Sequence, residues 1–414
     1  MERDIAMKIL LKNAALLNEK ETKHIVIQDE IIQSIISERM IDDQLFDKVI
    51  DLEGKIVLPG LTDMHMHLDK SFTYPTIRNR SGTLLEAIEQ FQAFEPYMTT
   101  DLLVKNMSKS VERAIKHGTT TLRTHLDGGT DDYIKRVVEA FSIVKETYKP
   151  YIHMESVLMC DFNMDEALEK SVRWAMENGM DLVGGAPHLS EDTEHNLERI
   201  FDIATTYDVD IDIHVDESDD PEMSHLPLVC EFTKRADYSG RVIAGHCTSL
   251  SAMEEKQALT IIEQLREEDV NVVTLPGANM YLLGRNDKGT IRRGLTRVRE
   301  LDEYNVHVAI GSDNIQDPFH PYGKADLLQM ALLCSYGAQM TSEAQMLRVL
   351  EMISTIPSEL MNRDGEIAPG KEATFVILDT KDQKLVLAEQ TTTRETWRKG
   401  KKICSMKECV KWEG

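Results

Sequence analysis

Two histidines separated by one residue, His65 and His67, end an apolar segment of the chain. Side chains alternate between the two faces of a β-strand, so this spacing places both imidazoles on the same face. Neutral imidazoles in that arrangement can bind one transition-metal ion. An isolated His-x-His pair is also typical of an ordinary buried strand, so the pair indicates a metal site only if further ligands end other strands.

Three later apolar segments also end in a histidine or a carboxylate, at His214, His246 and Asp313. Three histidines and one carboxylate, with a position left for water, are typical of a catalytic zinc or ferrous iron site. The pattern leaves open whether His246 binds the metal or lies beside the water. Asp313 also has an alternative interpretation as a helix cap.

An acidic segment, residues 216–220, follows His214. Its Glu217 lies where a carboxylate can carry a proton between water and a substrate nitrogen. A solvated acidic loop is the alternative interpretation. His125 ends another apolar segment, and it is a candidate for a substrate contact or for a neighbour of the metal ligands.

Eight short apolar segments, separated by amphipathic stretches such as residues 165–178 and 251–268, position these residues. Strands that alternate with helices predict a (β/α)8 barrel, in which chemistry lies at the C-terminal ends of the strands. The first segment ends at His67, and the others are Thr119–Leu126, Tyr151–Met159, Asp181–Ala186, Asp208–His214, Arg241–Gly245, Val270–Leu275 and Val306–Gly311.

Strand-like segments also occupy the two ends of the chain, where no helical stretches alternate with them. They predict a small sheet domain built from both ends, because Pro and Gly separate the last of them from the preceding helix. The segments are Lys8–Leu11, His24–Gln28, Lys55–Leu58, Ala373–Leu378 and Lys384–Leu387.

Composition excludes several classes of protein. The 414 residues, 42% of them apolar, can bury a large core, and the net charge of -24 disfavours nucleic acid and anionic membrane surfaces as partners. The apolar segments are too short to span a membrane. The six cysteines have no framework spacing and residues 1–8 have no signal-peptide pattern, so we expect reduced thiols in a cytoplasmic protein.

The order of these residues resembles the amidohydrolase superfamily, and within it the cytosine-deaminase-like branch. The resemblance extends over nearly the whole chain. It is carried by LPGLTD at 58–63, HLDKSFT at 67–73, RTHLD at 123–127, DIHVDE at 212–217, RRG at 292–294 and SDNIQDP at 312–318.

The resemblance implies a distorted (β/α)8 TIM barrel in residues 60–365, flanked by a β-sandwich from residues 1–59 and 366–414. It implies one divalent metal ion, zinc or iron, on His65, His67, His214 and Asp313. Relatives with two metals use a modified lysine after the fourth strand, and residues 181–188 contain no lysine.

The same resemblance implies a hydrolytic deaminase of a cytosine-like or other amino-substituted nitrogen heterocycle. In that mechanism Asp313 takes a proton from the metal-activated water, and His246 hydrogen-bonds the resulting nucleophile. Glu217 protonates the ring nitrogen beside the amidine carbon under attack, and ammonia leaves.

Three positions depart from the cytosine-deaminase pattern. The third strand ends at Cys160 without the glutamine that reads the pyrimidine edge, Asn314 stands in place of a second aspartate, and Phe319 in place of a tryptophan. We expect these residues and Asp317 to contact the substrate. A pocket without that glutamine should discriminate poorly for cytosine.

Residues 69–73 and 312–315 are also similar to the N-isopropylammelide amidohydrolases, which lack a counterpart of Glu217. The alternatives are therefore removal of an alkylamine from an aminotriazine, hydrolysis of a cyclic amide or lactone, and a barrel that binds without catalysis. The expected partner is a small nitrogen heterocycle, and a homo-oligomer is considered by analogy with the branch.

Overall fold

The structure, a computed structural model, describes residues 7–37 and 41–413. The absence of a signal-peptide pattern was expected for residues 1–8, and residues 1–6 lie outside these ranges. Within them the chain forms sixteen strands in two separate sheets. The strands are β1 (Lys8–Leu16), β2 (Lys23–Gln28), β3 (Ile31–Ile36), β4 (Lys48–Asp51), β5 (Ile56–Pro59), β6 (Leu61–Met66), β7 (Thr119–Gly128), β8 (His153–Cys160), β9 (Leu182–Gly185), β10 (Ile211–Val215), β11 (Val242–His246), β12 (Val270–Thr274), β13 (Val308–Ile310), β14 (Phe375–Leu378), β15 (Arg394–Arg398) and β16 (Lys401–Met406).

The eight middle strands, β6 to β13, pair in chain order as one parallel sheet. A bridge between Met66 and Asp313 brings the first and last strands together, so the sheet forms a nearly closed barrel. All residues of β6, β10, β11 and β12 are buried, as expected for strands covered on both faces. The predicted barrel is confirmed, and it places the C-terminal ends of all eight strands at one mouth.

Helices alternate with these strands and cover the outside of the barrel. Amphipathic patterns such as that of residues 165–178 mark them correctly, with ends shifted by a few residues. The helices are α1 (Leu84–Phe94), α2 (Thr100–Lys116), α3 (Asp131–Tyr148), α4 (Glu166–Glu177), α5 (Thr193–Tyr207), α6 (Leu226–Ala236), α7 (Glu255–Glu267), α8 (Pro276–Leu282), α9 (Val298–Glu303), α10 (Leu327–Ala338), α11 (Glu343–Glu351), α12 (Thr355–Leu360) and α13 (Val386–Glu389).

The second sheet is mixed and combines both chain ends, because β14 pairs antiparallel with β5 while β1 pairs with β2, β4 and β5. The fold class expected from the sequence is therefore confirmed. The domain bounds 1–59, 60–365 and 366–414 stay a prediction, and residues 1–6, 38–40 and 414 within them lie outside the described residues.

The strand predicted at Lys384–Leu387 is wrong. The Oδ1 atom of Asp382 accepts a hydrogen bond from the Lys384 amide at 2.9 Å, and its carbonyl accepts one from the Leu385 amide at 2.9 Å. These bonds fold the chain into a turn that leads into α13. The strands that extend the sheet beyond β14 are β15 and β16, which the sequence did not predict because neither has an apolar alternation.

Among residues 7–37 and 41–413, no helix combines the length and the apolar character needed to cross a bilayer. All six cysteines lie in the described part of the chain, and none of them forms a disulfide.

Candidate active site

Three strand ends bring the predicted metal ligands together at the barrel mouth. The Nε2 atoms of His65 and His67, at the end of β6, each lie 3.1 Å from Nε2 of His214 in β10. After β13, Oδ1 of Asp313 lies 3.8 Å from Nε2 of His65 and 3.5 Å from Nε2 of His67. All four side chains are buried, so their ligand atoms face one small space.

The chemistry of these donors fits a divalent transition metal. Both carboxylate oxygens of Asp313 are buried without a hydrogen-bond partner among the described residues, and burial raises the pKa of Asp313 to about 8. Burial lowers the pKa of His65, His67 and His214 well below the ordinary value, which favours the neutral form that binds metals. Zinc–nitrogen bonds of about 2.0–2.1 Å place neighbouring ligand atoms roughly 3.3 Å apart, close to the spacing of the imidazole nitrogens.

Close backbone packing holds this cluster. A Cβ atom on Gly311 would lie 2.9 Å from Cβ of His65, so only glycine lets β13 approach β6 this closely. Three strand-end residues, Asp216, His246 and Asp313, have φ angles of 52°, 70° and 58°. Non-glycine residues in this left-handed region are strained, and such strain concentrates at functional sites.

A second group joins Glu217 to His246 beside the metal ligands. Oε1 of Glu217 lies 3.2 Å from Nδ1 of His246, and Nδ2 of Asn279 lies 3.1 Å from that oxygen and 2.8 Å from the ring nitrogen. Burial opposes a charge on His246, but the nearby Glu217 and Asp313 carboxylates raise its pKa overall. Asn279 lies on α8 rather than at a strand end, so the strand-end rule did not identify it.

Three of the predicted metal ligands, His67, His214 and Asp313, line a cavity that opens to solvent, and Glu217 lines it too. Of the predicted substrate contacts, Cys160, Asn314 and Phe319 line this cavity. Apolar side chains from helices, strands and loops form much of its remaining wall. They are Leu84, Ile88, Phe91, Met159, Phe162, Leu189 and Leu282.

His125, the first of two predicted contacts that do not line the cavity, lies beneath the metal ligands. Its ring stacks on that of His65 with centroids 3.9 Å apart, and its Nε2 atom lies 3.1 Å from Oδ1 of Asp212. The other oxygen of Asp212 accepts a hydrogen bond from Arg123 at 3.0 Å. His125 therefore supports His65 and makes no contact with the cavity, because it is fully buried behind the ligands.

Asp317, the second such contact, lies behind Asn314. Its Oδ1 atom accepts hydrogen bonds from the Phe319 and His320 amides at 2.9 and 3.0 Å, and its Oδ2 atom accepts one from Nδ2 of Asn314 at 2.8 Å. Because these bonds occupy both oxygens, Asp317 shapes the loop that presents Asn314 and Phe319.

The sequence analysis did not identify a buried ion pair between Lys70 and Asp127. Nζ of Lys70 lies 2.5 Å from Oδ1 of Asp127 and 3.2 Å from Nδ1 of His67. Burial opposes the charge of Lys70, but Asp127 and Asp69 raise its pKa overall. Both members of the pair line the cavity, and both follow strands that the analysis had recognised. The signal in the sequence for Lys70 and Asp127 is a charged residue shortly after a predicted strand.

His188 is buried and lines the cavity. Its Nδ1 atom donates a hydrogen bond to the His214 carbonyl at 3.2 Å, which leaves Nε2 as a buried acceptor without a partner among the described residues. Burial lowers the pKa of His188 to about 4, which favours this neutral state.

Comparisons with known proteins agree with this fold. The amidohydrolase family model matches residues 56–407. The chain is 30% identical over 395 residues to a pterin deaminase of Rhizobium rhizogenes, with 92% of this chain and 87% of the relative covered. It is 26% identical over 396 residues to an N-isopropylammelide isopropyl amidohydrolase of Pseudomonas, with 92% and 93% covered.

Among solved structures, a 5-methylcytosine deaminase of Klebsiella pneumoniae superposes with a TM-score of 0.90 at 25% identity. The superposition covers 98% of this chain and 99% of that one. The family match spans both the barrel and the strands of the terminal sheet that join it. The chain is therefore a member of the amidohydrolase family, and a hydrolase that acts on carbon–nitrogen bonds.

Proposed function

We propose that this protein is a metal-dependent hydrolytic deaminase of an amino-substituted nitrogen heterocycle. The observation that carries the proposal is the position of Glu217, whose carboxylate lies 3.2 Å from His246 and lines the same cavity as the metal ligands. Deamination of a cyclic amidine needs a proton at the ring nitrogen, and a carboxylate in this position can deliver one.

The four residues His65, His67, His214 and Asp313 would hold the metal, and their donor set supports zinc or iron. When bound, a divalent metal supplies a Lewis acid that makes water a nucleophile near neutral pH.

The chain's own residues supply the proton transfers. Glu217 protonates the ring nitrogen beside the carbon under attack. Asn279 fixes the Glu217 carboxylate against His246 through the two contacts of its Nδ2 atom. The Nε2 atom of His246 has no partner among the described residues, so it is free to hydrogen-bond the attacking oxygen.

The relatives support pterins and aminopyrimidines as the first substrates to test. One relative is a pterin deaminase, and one solved neighbour is a 5-methylcytosine deaminase. Apolar side chains such as Phe91, Leu282 and Phe319 line the cavity and suit a flat ring, while a few polar groups orient it.

A substrate panel tests the proposal directly. The metal-loaded protein is assayed with cytosine, isocytosine, pterins and aminotriazines, and ammonia release is measured beside ring opening of lactams and lactones. We expect ammonia from at least one aminoheterocycle. Turnover of lactams or lactones alone would contradict the proposal.

The Glu217→Gln variant tests the proton transfer. We expect kcat to fall by roughly 10²–10⁴-fold, because an amide cannot carry the proton. Metal content measured by elemental analysis should stay unchanged, because Glu217 is not among the proposed ligands. Glu222→Gln, an exposed change in the same loop, is the matched control and should keep full activity. Undiminished turnover by the Glu217 variant would exclude the assigned role.

A further inference from the structure

Helix α1 covers one side of the barrel mouth and presents one face to the cavity. Leu84, Ile88, Phe91 and Gln92 line the cavity from this helix, and Glu95 lines it one residue beyond the helix end. Their spacing of three and four residues places them along one side of a helix. Glu95 keeps helical backbone angles, so its side chain continues this face.

The Glu95 carboxyl group is buried, faces the cavity and makes no hydrogen bond or ion pair within residues 7–37 and 41–413. The residue is only 5% exposed. The nearest cationic side chain on α3, that of Arg136, donates instead to the backbone carbonyls of Glu95 and Pro96 at 3.3 and 3.4 Å. A Cβ atom on Gly129 would lie 2.5 Å from Oε1 of Glu95, so the glycine leaves room for this carboxyl group.

Other acidic side chains surround Glu95. Burial, followed by the charges of Asp127 and Asp69, raises the pKa of Glu95 to about 8 despite opposing effects of Lys70 and Arg136. Lys70 cannot neutralise Glu95 fully, because it is paired with Asp127 at 2.5 Å. A buried carboxyl group without a partner is costly, and a hydrogen-bond donor on a ligand would offset that cost.

Among the described residues, no hydrogen bond or ion pair joins Glu95 to the proposed metal ligands. Lys70 contacts His67 and pairs with Asp127, and Lys70, Asp127 and Glu95 line the same cavity. The end of β8, where a glutamine would read a pyrimidine edge, presents the Cys160 thiol, a weak hydrogen-bonding group, and the Asp161 carboxylate. Asp127 is paired with Lys70, so Glu95 is one of two carboxyl groups of this cavity, with Asp161, that no cation of the described residues pairs with.

We propose that Glu95 determines substrate specificity by accepting a hydrogen bond from an amino or ammonium group at the end of the heterocycle remote from the reacting carbon. This inference rests on the proposed function and narrows its substrate class. The preferred substrates carry a second donor group at that end.

Paired probes that differ in one group test this specificity. The first pair is melamine and its analogue with one amino group replaced by methyl. The second is a pterin with an aminomethyl group on its pyrazine ring and the same pterin with methyl there. Binding is measured by calorimetry on the metal-loaded Glu217→Gln protein, with and without Glu95→Gln, and turnover is measured with Glu217 intact.

We expect the amino member of at least one pair to bind more tightly, and Glu95→Gln to weaken that member by about 10- to 100-fold while leaving the methyl member unchanged. With Glu217 intact, the change should raise KM more than it alters kcat. Binding of the aminomethyl pterin at pH 7 should release protons, because its ammonium group favours the ionised form of Glu95, and this release should disappear in the variant. Glu89→Gln, an exposed change on α1, is the matched control.

Equal binding of both members of each pair, or a preference that survives Glu95→Gln, would overturn the inference. The absence of binding by every probe would overturn it too, because these probes carry the group that it names. Failure of the proposed function has a different signature: no ammonia is released from any member, whatever the binding preference. The two ideas can therefore fail separately.

Discussion

Around the barrel mouth, several buried polar groups have no partner within the described residues. The carboxylate oxygens of Asp313, Nε2 of His246 and Nε2 of His188 are three examples at the same cavity. Buried polar groups in folded proteins are nearly always hydrogen-bonded, so such a concentration indicates groups that await ligands. We infer that Asp313 awaits the proposed metal ion, while His246 and His188 await groups of the substrate.

Burial of the Glu95 carboxyl group should destabilise the folded protein in a pH-dependent way, and this destabilisation can be measured. Its pKa is about 8 in the folded protein because of burial, Asp127 and Asp69, with Lys70 and Arg136 opposing, against about 4.3 in an unfolded chain. An acid with a raised folded pKa destabilises the protein as pH rises from the unfolded value to the folded one. We expect Glu95→Gln to match the wild type near pH 4 and to be more stable by roughly 5 kcal/mol at pH 8.5.

Calorimetric melting of the metal-loaded protein without substrate measures this difference, with Glu89→Gln as the control. The same offset between Glu95→Gln and wild type at both pH values would contradict the prediction, because an uncharged packing effect does not titrate.

At the scale of elements, the barrel strands position the proposed metal ligands, and α1 forms part of the cavity wall. The strands hold side chains rigidly, because neighbouring strands of the sheet pair with them. Helix α1 is different: it lies in the long connection between β6 and α2, and its outer face, including Leu85, is exposed. We infer that the stability of α1 influences substrate binding more than it influences the chemical step.

The N-cap of α1 tests this influence. The Thr83 hydroxyl accepts a hydrogen bond from the Glu86 amide at 3.3 Å, and loss of such a cap costs about 1 kcal/mol. We expect Thr83→Ala to raise KM by roughly 3- to 10-fold with a smaller change in kcat, because only the binding wall is loosened. Steady-state kinetics with the best substrate of the panel measure this.

Thr99→Ala removes the corresponding cap of α2, which accepts from the Leu102 amide at 3.3 Å and does not line the cavity. It should lose similar stability without a change in KM. Equal effects of the two variants on KM would show that α1 has no special role.

At the scale of the whole molecule, two arrangements connect distant parts of the chain. The buried Arg394 of β15 pairs with Asp326, the N-cap of α10, at 2.8 Å, and so links the terminal sheet to the barrel. The proposed metal ligands span the barrel interior, because β6 and β10 lie four strands apart in the eight-stranded order.

Removal of the metal should therefore destabilise the entire barrel. A bound ion at a hundredfold excess over its Kd adds about 2.7 kcal/mol to the free energy of unfolding. We expect a chelator to lower the melting temperature and added zinc, ferrous iron or manganese to restore it. The His214→Ala variant should show little response to chelator or metal. An unchanged melting temperature in wild-type protein shown by elemental analysis to be free of metal would exclude this structural role.

The sequence by itself determined the eight-stranded barrel, the sheet from both chain ends and the residues that meet at the mouth. These follow from local patterns: short apolar segments alternate with amphipathic ones, and the C-terminal ends of parallel strands gather on one side. The places of His65, His67, His214, Glu217 and Asp313 could therefore be predicted before their distances were known.

Only the tertiary structure decided how side chains near those strand ends are directed. In the folded chain, His125 and Asp317 do not line the cavity. Asn279 on α8 and Glu95 at the end of α1 lie at the site instead. The C-terminal end of a barrel strand lies at the mouth because all eight strands are parallel. The direction of a helix face, or of a buried polar group, depends instead on the packing and hydrogen-bond partners that distant parts of the chain provide.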